Sequence, residues 1–181
     1  MASKNTSAPA APSYGEVWPG QGGIVVDFVP SMGGKPGWYL IAPTTAAAEA
    51  SALAWGSQGI DEPNAKDDWD GLANTIALAD SKHEHPAAEW ARGLVIDGHS
   101  DFYLPSRREM RLLWARTPEL FKREWHWSST QFSAESAWFQ LFSLGHQYHI
   151  RQGLEGPLPS RPQIDHFLIQ LFNLPARSAG R

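Results

Sequence analysis

Residues 100–145, SDFYLPSRREMRLLWARTPELFKREWHWSSTQFSAESAWFQLFSLG, decide the fold of this chain because they combine a well-marked helix with two strand-like runs. The hydroxyl of Ser106 can accept a hydrogen bond from a free N–H of the first helical turn. The carboxylate of Glu109 can accept one in return from the cap's own N–H, which makes a capping box. The residues that follow recur at helical spacing and predict one apolar face. That face consists of Met110, Leu113 and Trp114.

The second half of this stretch predicts another helix start and then strands. Thr117 before Pro118 repeats the start signal of a helix, with the threonine as the expected cap. Residues 125–130 and 137–142 are then rich in aromatic and β-prone types, which indicates two strands. Residues 147–151 predict a third strand, paired with residues 139–143 across a turn.

The motifs in this stretch resemble those of a bacterial and phage family of unassigned function. LPSRREM (residues 104–110) and WHWSSTQFSAESAWFQLFSLG (residues 125–145) are similar to the family's LPS-(K/R)-x-E-(L/M), W-S-S-T and A-W-x-x-x-F-x-x-G. DGLANT (residues 70–75) and WARGLVIDGHSDFYLPS (residues 90–106) fit its phage-type members. The family includes C-terminal domains of collagen-like bacterial adhesins and proteins encoded among phage tail genes. The resemblance covers about residues 22–170.

The resemblance implies an α+β fold of the C-type-lectin-like kind. Such a domain is compact and has a terminal β-hairpin, two to three helices and a small twisted antiparallel sheet. Members of the family commonly end in an arginine-rich strand, where this chain has Ser-Arg-Pro-Gln-Ile-Asp at residues 160–165. The family's fold is used for display and binding rather than for catalysis.

The resemblance also implies a ligand surface on the strands and loops that follow the WSS element. Amide, hydroxyl and aromatic side chains of this kind suit a polar binding surface, and they equally suit any solvated sheet face. The implied residues are Gln131, Phe132, Ser133, Glu135, Ser136, Gln140, Gln147, Tyr148 and His149.

The rest of the chain predicts one domain over residues 14–174. Residues 23–29 and 38–42 read as an antiparallel hairpin that brings the beginning of the chain next to its end, where residues 167–172 predict the last strand. Residues 1–13 are rich in Ala, Pro and Ser, which indicates either a disordered tail or an arm that docks onto an assembly. Residues 175–181 predict a loose tail.

Two further helices are expected before the deciding stretch. Asp70 can cap a helix over residues 71–79, and Pro86 opens a helix through Arg92. Residues 153–162, with three prolines, predict a loop. The apolar face expected for the first of these helices consists of Leu72, Ile76 and Ala79.

Composition excludes several classes of protein. The chain has 181 residues, 42% of them hydrophobic, which is enough to bury a core. Its net charge of −4 argues against a general nucleic-acid binder, because such a protein needs a basic face. No cysteine is present, so disulfides and thiolate metal sites are excluded. No apolar run marks a signal peptide or spans a bilayer.

Two groups of side chains contain residue types that bind metal ions. His83, Glu84 and His85 read as a solvated turn rather than a metal site, because no third ligand has convincing spacing. The acidic residues of the segment 61–70 offer oxygen ligands for calcium, but their spacing does not match an EF-hand and an ordinary acidic loop is expected. We therefore expect no metal and no cofactor.

Two further groups of residues are of types that occur in functional sites. The hydroxyls of residues 128–130 lie near His126 in sequence without a nucleophile elbow or an orienting acid, so no enzyme is expected. In the family that the chain resembles, the serines of this element satisfy backbone groups. Several of the nine tryptophans fall inside predicted elements and are expected in the core. These are Trp38, Trp114, Trp127 and Trp138.

The function implied by the resemblance is that of a non-catalytic phage virion protein. It would lie at a tail fibre or tip and recognise a carbohydrate or protein on the host surface, after synthesis in the host cytoplasm without a signal peptide. Its partners would be that ligand, other virion proteins and further copies of itself in a homo-oligomer, such as the trimer of collagen-like relatives. No nucleic acid and no membrane insertion are expected. The alternatives are a structural head or tail decoration protein anchored by residues 1–13, and an enzyme acting on glycans.

Overall fold

The structure, a computed structural model, describes residues 12–51, 53–151, 164–167 and 169–173. These residues form an α+β domain, as the sequence predicts, with three α-helices and two five-stranded sheets. The helices are α1 (Gly71–Ala79), α2 (Pro86–Gly93) and α3 (Arg107–Arg116). The strands in chain order are β1 (Val17–Trp18), β2 (Gly23–Val29), β3 (Trp38–Pro43), β4 (Glu49–Ser51), β5 (Phe102–Tyr103), β6 (Trp125–Ser133), β7 (Ser136–Leu141), β8 (His146–Arg151), β9 (Ile164–Phe167) and β10 (Ile169–Asn173).

The first sheet has the order β1-β2-β3-β10-β5 and contains the predicted hairpin. Strands β2 and β3 pair antiparallel, with Val29 opposite Trp38, and a register shift lies between Val25 and Asp27. The other edge of β3 pairs with β10. The hairpin therefore does bring the beginning of the described chain next to its last strand.

The prediction of one final strand over residues 167–172 is wrong in its extent. Strand β9 belongs to the second sheet, where it pairs parallel with β6 and antiparallel with β4. Strand β10 belongs to the first sheet. The apolar composition of this segment predicts strand structure but does not reveal that two sheets share it. The loop predicted for residues 153–162 lies outside the described residues, as do the tail predicted for residues 175–181 and nearly all of the arm predicted for residues 1–13.

The second sheet has the order β4-β9-β6-β7-β8, and its last three strands form an antiparallel meander. Strand β8 pairs with β7 along its whole length, with Trp138 opposite His149 and Gln140 opposite Gln147. This confirms the predicted pairing of the two strands, although β7 ends two residues earlier than predicted and residues 142–143 belong to the turn. Because side chains alternate across a strand, these four residues share one face of the sheet.

Helix α1 has the predicted bounds and the predicted cap, because Asp70 Oδ1 accepts a hydrogen bond from the N–H of Ala73 at 2.8 Å. Its predicted buried face is wrong, since the Ile76 side chain is 38% exposed while Leu72 and Ala79 are only partly buried. Polar side chains lie on the inner face of the helix instead, because they form hydrogen bonds there. The buried residues of the helix are Gly71, Asn74, Thr75 and Leu78.

Two polar residues of α1 are buried because each bonds to backbone groups of neighbouring segments. Asn74 Nδ2 donates to the carbonyl oxygen of Asp67 at 2.6 Å. The Thr75 hydroxyl accepts from the N–H of Leu104 at 3.1 Å and donates to the carbonyl oxygen of Gly71 at 2.7 Å. A rule that places only apolar side chains inside cannot find such a face.

Helix α2 starts at Pro86, as predicted, and ends at Gly93. It buries small side chains, which let it pack closely on α1 and on β5 of the first sheet. Among the described residues, no helix is long and apolar enough to cross a membrane. The buried residues of α2 are Ala87, Ala88 and Ala91.

Helix α3 carries the predicted capping box. Ser106 Oγ accepts from the N–H of Glu109 at 3.3 Å, and Glu109 Oε2 accepts from the N–H of Ser106 at 2.7 Å. Met110 and Leu113 are buried as expected. The prediction for Trp114 is wrong, because this side chain is 38% exposed.

The helix predicted to start at Thr117 and Pro118 is present only as a short 3-10 turn, Pro118–Leu120. Thr117 does not cap it, since its hydroxyl donates back to the carbonyl oxygen of Leu113 at 3.3 Å. Of the other tryptophans expected in the core, Trp38 and Trp127 are buried, whereas Trp138 is only half-buried.

The carboxylate of Glu109 is buried and joins three segments. Besides capping α3, Oε2 accepts from the N–H of Gly71 at 3.1 Å, and Oε1 accepts from the Tyr103 hydroxyl at 2.9 Å. Burial raises the pKa of Glu109 to about 7, against the opposing effect of the hydrogen bonds from Ser106 and Tyr103. Burial, together with the neighbouring Glu109, also raises the pKa of Tyr103.

The raised pKa of Glu109 predicts a pH-dependent stability. The unfolded chain holds this group near its ordinary pKa of 4.5, so between that value and about pH 7 the folded state binds more protons. The contribution of Glu109 to the free energy of unfolding is therefore fully present at low pH and is lost as the pH rises through 7. The slope is at most roughly 1.4 kcal/mol per pH unit for one proton.

Urea unfolding of the wild type and of Glu109→Gln at several values between pH 5 and 8 measures this contribution. The glutamine amide does not titrate, so the stability of the wild type relative to the variant should fall as the pH rises. A difference between the two proteins that stays constant over this range would contradict the prediction.

Candidate functional site

The nine predicted ligand residues lie on β6, β7, β8 and the tight turn between the first two strands, but only some of them reach the surface. Phe132, Glu135, Tyr148 and His149 are exposed, whereas Ser133 and Gln147 are partly buried. The remaining three are buried, which removes their side chains from any solvent-facing surface. These are Gln131, Ser136 and Gln140.

Gln140 and Gln147 fasten the sheet to α3. Gln140 Nε2 donates to the carbonyl oxygen of Met110 at 3.1 Å, and its Oε1 accepts from Gln147 Nε2 at 2.8 Å. Gln147 Nε2 also contacts the carbonyl oxygen of Arg107 at 2.6 Å, and its Oε1 accepts from Arg111 Nε at 2.9 Å. The amide of Gln140 is thus used inside the fold, which corrects the prediction that it contacts a ligand.

Gln131 and the turn residues are also tied to the fold. Gln131 Nε2 donates to the carbonyl oxygen of Ile60 at 2.7 Å, and its Oε1 accepts from the N–H of Glu62 at 2.7 Å. These bonds hold the acidic loop against β6. The hydroxyls of Ser133 and Ser136 bond each other at 3.0 Å across the turn. The prediction of Gln131 and Ser136 as ligand residues is therefore corrected by their burial.

Four side chains form a mixed aromatic and cationic surface, which we call the Trp138 cluster: Arg107, Phe132, Trp138 and His149. The rings of Phe132 and His149 stack, with centroids 3.8 Å apart and an interplanar angle of 16°. Trp138 meets both rings nearly edge-on, at 5.4 and 5.3 Å. The Arg107 guanidinium carbon lies 3.9 Å from the centre of the Trp138 ring, and Nη1 lies 3.3 Å from an oxygen of Asp68.

The sequence prediction included two members of the Trp138 cluster, Phe132 and His149, and missed the other two. Trp138 was assigned to the core, although its alternation with the buried Ala137 and Phe139 places it on the opposite face. That alternation is a signal which could have found it. Arg107 comes from α3, and no sequence pattern predicts that it meets this face.

Tyr148 lies on the other face of the sheet, so it does not join His149 in one site. Its ring contacts Trp125, with centroids 5.8 Å apart, and its hydroxyl lies 3.3 Å from Nδ1 of His146. Phe139 lies beneath these rings and is largely buried. The surface predicted from the resemblance is therefore divided between two faces of β8.

The acidic loop between residues 61 and 70 uses its carboxylates within the fold. Asp67 Oδ1 accepts from the N–H groups of Trp69 and Asp70 at 2.7 and 2.9 Å. Asp70 forms an ion pair with Lys35, and this bond raises the pKa of Lys35. Asp61 pairs with Lys66 at 2.6 Å. Within the part of the chain that the structure describes, no three His, Cys, Asp or Glu side chains are grouped as a metal site requires.

The prediction of a solvated turn at residues 83–85 is wrong for His85, which is fully buried. Its Nδ1 lies 3.1 Å from the carbonyl oxygen of Trp55, and its Nε2 lies 3.2 Å from Glu62 Oε1. The same carboxylate oxygen accepts from the Ser81 hydroxyl at 2.6 Å. The ring of His85 thus joins two loops to the start of α2. Because both of its nitrogens make these contacts, its role is structural.

The hydroxyls of residues 128–130 also serve the backbone. Ser128 Oγ donates to the carbonyl oxygen of Trp138 at 3.0 Å, and Thr130 Oγ1 donates to that of Asp67 at 3.1 Å. The resemblance implies this role for the serines of the motif. His126 is buried, with Nε2 3.1 Å from the carbonyl oxygen of Lys122.

The buried position of His85 predicts that Gly56 cannot be replaced. A Cβ added at residue 56 would overlap the imidazole ring of His85. Gly56→Ala should therefore lower the free energy of unfolding by about 1–3 kcal/mol. Urea unfolding measures this, with Gly93→Ala as the matched control because an added Cβ there meets no atom within 4 Å. Equal stability of the two variants would contradict the packing described for His85.

The sequence matches no protein-family model, and no curated protein is significantly similar to it. The family resemblance drawn from the LPSR and WSST motifs therefore stays a prediction. The structural feature that bears on function is the Trp138 cluster with its surroundings.

Proposed function

We propose that this chain is a non-catalytic phage virion protein, at a tail fibre or tip, which recognises a carbohydrate or protein on the host surface. The observation that carries the proposal is the Trp138 cluster. Aromatic rings give a binding surface a large contact area at a low cost in conformational entropy. Their exposure on a folded sheet is what a recognition surface requires.

The rings of the Trp138 cluster are held in place before any ligand binds. Phe132 is 48% exposed, yet it stacks on His149 and meets the edge of Trp138. Arg107 covers the Trp138 ring and is positioned in turn by Asp68. An exposed apolar ring that is fixed in this way loses little freedom on binding, so preorganisation supports a role in recognition.

The fold supports a C-type-lectin-like assignment, which is part of the proposal. The hairpin of β2 and β3 receives the late strand β10, and helices α1 and α3 contact strands of both sheets. The position on a phage particle and the assembly into a homo-oligomer rest on the family resemblance alone. Several copies would add avidity to weak individual sites.

A structural head or tail decoration protein is the second candidate, and a separate observation favours it. Tyr14 and Val17 are exposed, at 51% and 61%, beside the first described residues of the chain. Apolar side chains at that place suit a contact between an N-terminal arm and neighbouring subunits. The third candidate, an enzyme acting on glycans, has no support from the buried hydroxyls of Ser128 and Ser129.

Binding of the purified protein to bacterial cells and to immobilised glycans tests the proposal. Phe132→Ala removes an exposed ring of the Trp138 cluster and should weaken saturable binding by about tenfold. Val95→Ala is the matched control, because Val95 is exposed and apolar but lies outside the second sheet. Thermal unfolding of both variants establishes that the fold is intact.

Two results would count against recognition by this surface. Saturable binding that Phe132→Ala leaves unchanged would place the ligand elsewhere on the molecule. The absence of binding to every cell and glycan, with the oligomeric state established, would overturn the proposal in favour of the decoration protein.

A further inference from the structure

A second aromatic surface lies at the other end of α3, where a groove of about 600 Å³ opens beside the turn between β7 and β8. Its floor is apolar and its rim carries one acid and one base. We call it the Trp114 groove. The lining residues that matter here are Trp114, Pro118, Glu119, Phe121, Arg123 and Phe142.

The Trp114 ring is exposed, but its orientation is fixed by contacts with the turn after β7. Its Nε1 donates to the carbonyl oxygen of Phe142 at 3.1 Å. One face of its ring system packs on Gly145, where an added Cβ would lie 2.5 Å from Cε2 at the ring fusion, and the opposite face is left for a ligand. Gly145 has a φ of 73°, which glycine adopts without strain. The turn therefore holds the indole in one orientation against the groove, as a binding platform requires.

The floor beside this platform is also aromatic. Phe121 and Phe142 stack with centroids 4.0 Å apart and are both largely buried. Together with Pro118 they give the groove an apolar lining next to the indole. Such a surface fits the face of a ring whose C–H bonds point outward.

The two charges on the rim select the kind of ligand. Glu119 and Arg123 are exposed, and neither forms an ion pair with any residue the structure describes. The two charges are of opposite sign and sum to zero, so the rim as a whole attracts neither anions nor cations and suits a ligand without net charge. A neutral ring with several hydroxyl groups can donate to Glu119 and accept from Arg123.

From this combination we infer that the Trp114 groove binds a neutral pyranose unit of a host-surface glycan. The apolar face of the sugar stacks on the indole of Trp114, and its hydroxyls bond to the two rim charges. The inference rests on the proposed function and deepens it, because it selects a carbohydrate over a protein and adds a second contact site. Trp114 follows Arg107 by seven residues on α3, or about 10 Å along the helix, so the two surfaces are close enough for one extended ligand to reach both.

An array of neutral and acidic bacterial oligosaccharides, followed by titration with the neutral glycan that binds best, tests the inference. Trp114→Ala should weaken binding by about tenfold, and Trp114→Phe should restore part of it because a flat ring remains. Leu144→Ala is the matched control, since Leu144 is exposed on the same turn but does not line the groove.

The variants Glu119→Gln and Arg123→Gln test the groove without a change in the stability of the fold. Both side chains are exposed and lack ion pairs within the described residues, so urea unfolding should show unchanged stability. Each should nevertheless weaken binding of the neutral glycan several-fold, because a hydrogen bond to a charged group is lost.

The outcomes separate this inference from the proposed function. Glycan binding that fails in Phe132→Ala but survives all changes in the Trp114 groove would overturn the inference and leave the proposed function standing. A preference of the wild type for acidic glycans, or for a protein receptor alone, would do the same. The absence of any binding by the wild type would overturn both.

Discussion

The buried carboxylate of Glu109 is the interaction on which the rest of the structure depends. It accepts hydrogen bonds from the first residue of α1, from the cap of α3 and from Tyr103 in β5. The start of α1, which is 38 residues away in sequence, therefore shares one acceptor group with the strand and the cap that immediately precede α3. Residue 71 has to be glycine for this arrangement, because an added Cβ would overlap the same carboxylate oxygen. A polar group placed at the centre of a small fold fixes the relative positions of its helices in a way that apolar contacts alone do not.

Both candidate surfaces follow from the position that this carboxylate gives α3. At the start of the helix, Arg107 is brought over the ring of Trp138, and the amides of Gln140 and Gln147 hold the sheet against the helix. At its end, Trp114 is brought against the turn after β7. One helix thus positions an aromatic surface at each of its ends.

The sequence predicted well those features that local physical chemistry controls. The capping box of α3, the Asp70 cap of α1 and the start of α2 at Pro86 are signals carried within a few residues, and the structure contains all of them. The predictions failed where partners come from distant segments. The sequence predicts Trp114 and Trp138 in the core, because it does not show that the turn after β7 lies beside Trp114 or that α3 lies beside Trp138. His85 and Asn74 look like surface residues, but they are buried because carbonyl and carboxylate groups from other loops receive their hydrogen bonds.

The position of β10 determines when this domain can be completed. Strand β10 lies between β3 and β5 in the first sheet, and β5 meets no other strand of that sheet. During synthesis, every other described strand leaves the ribosome before β10 does. Until then β3 presents an unpaired edge, and such an edge is open to pairing with other chains. Closure of the first sheet is therefore a late, non-local step, and a chain that stopped before residue 169 would be exposed to association through β3.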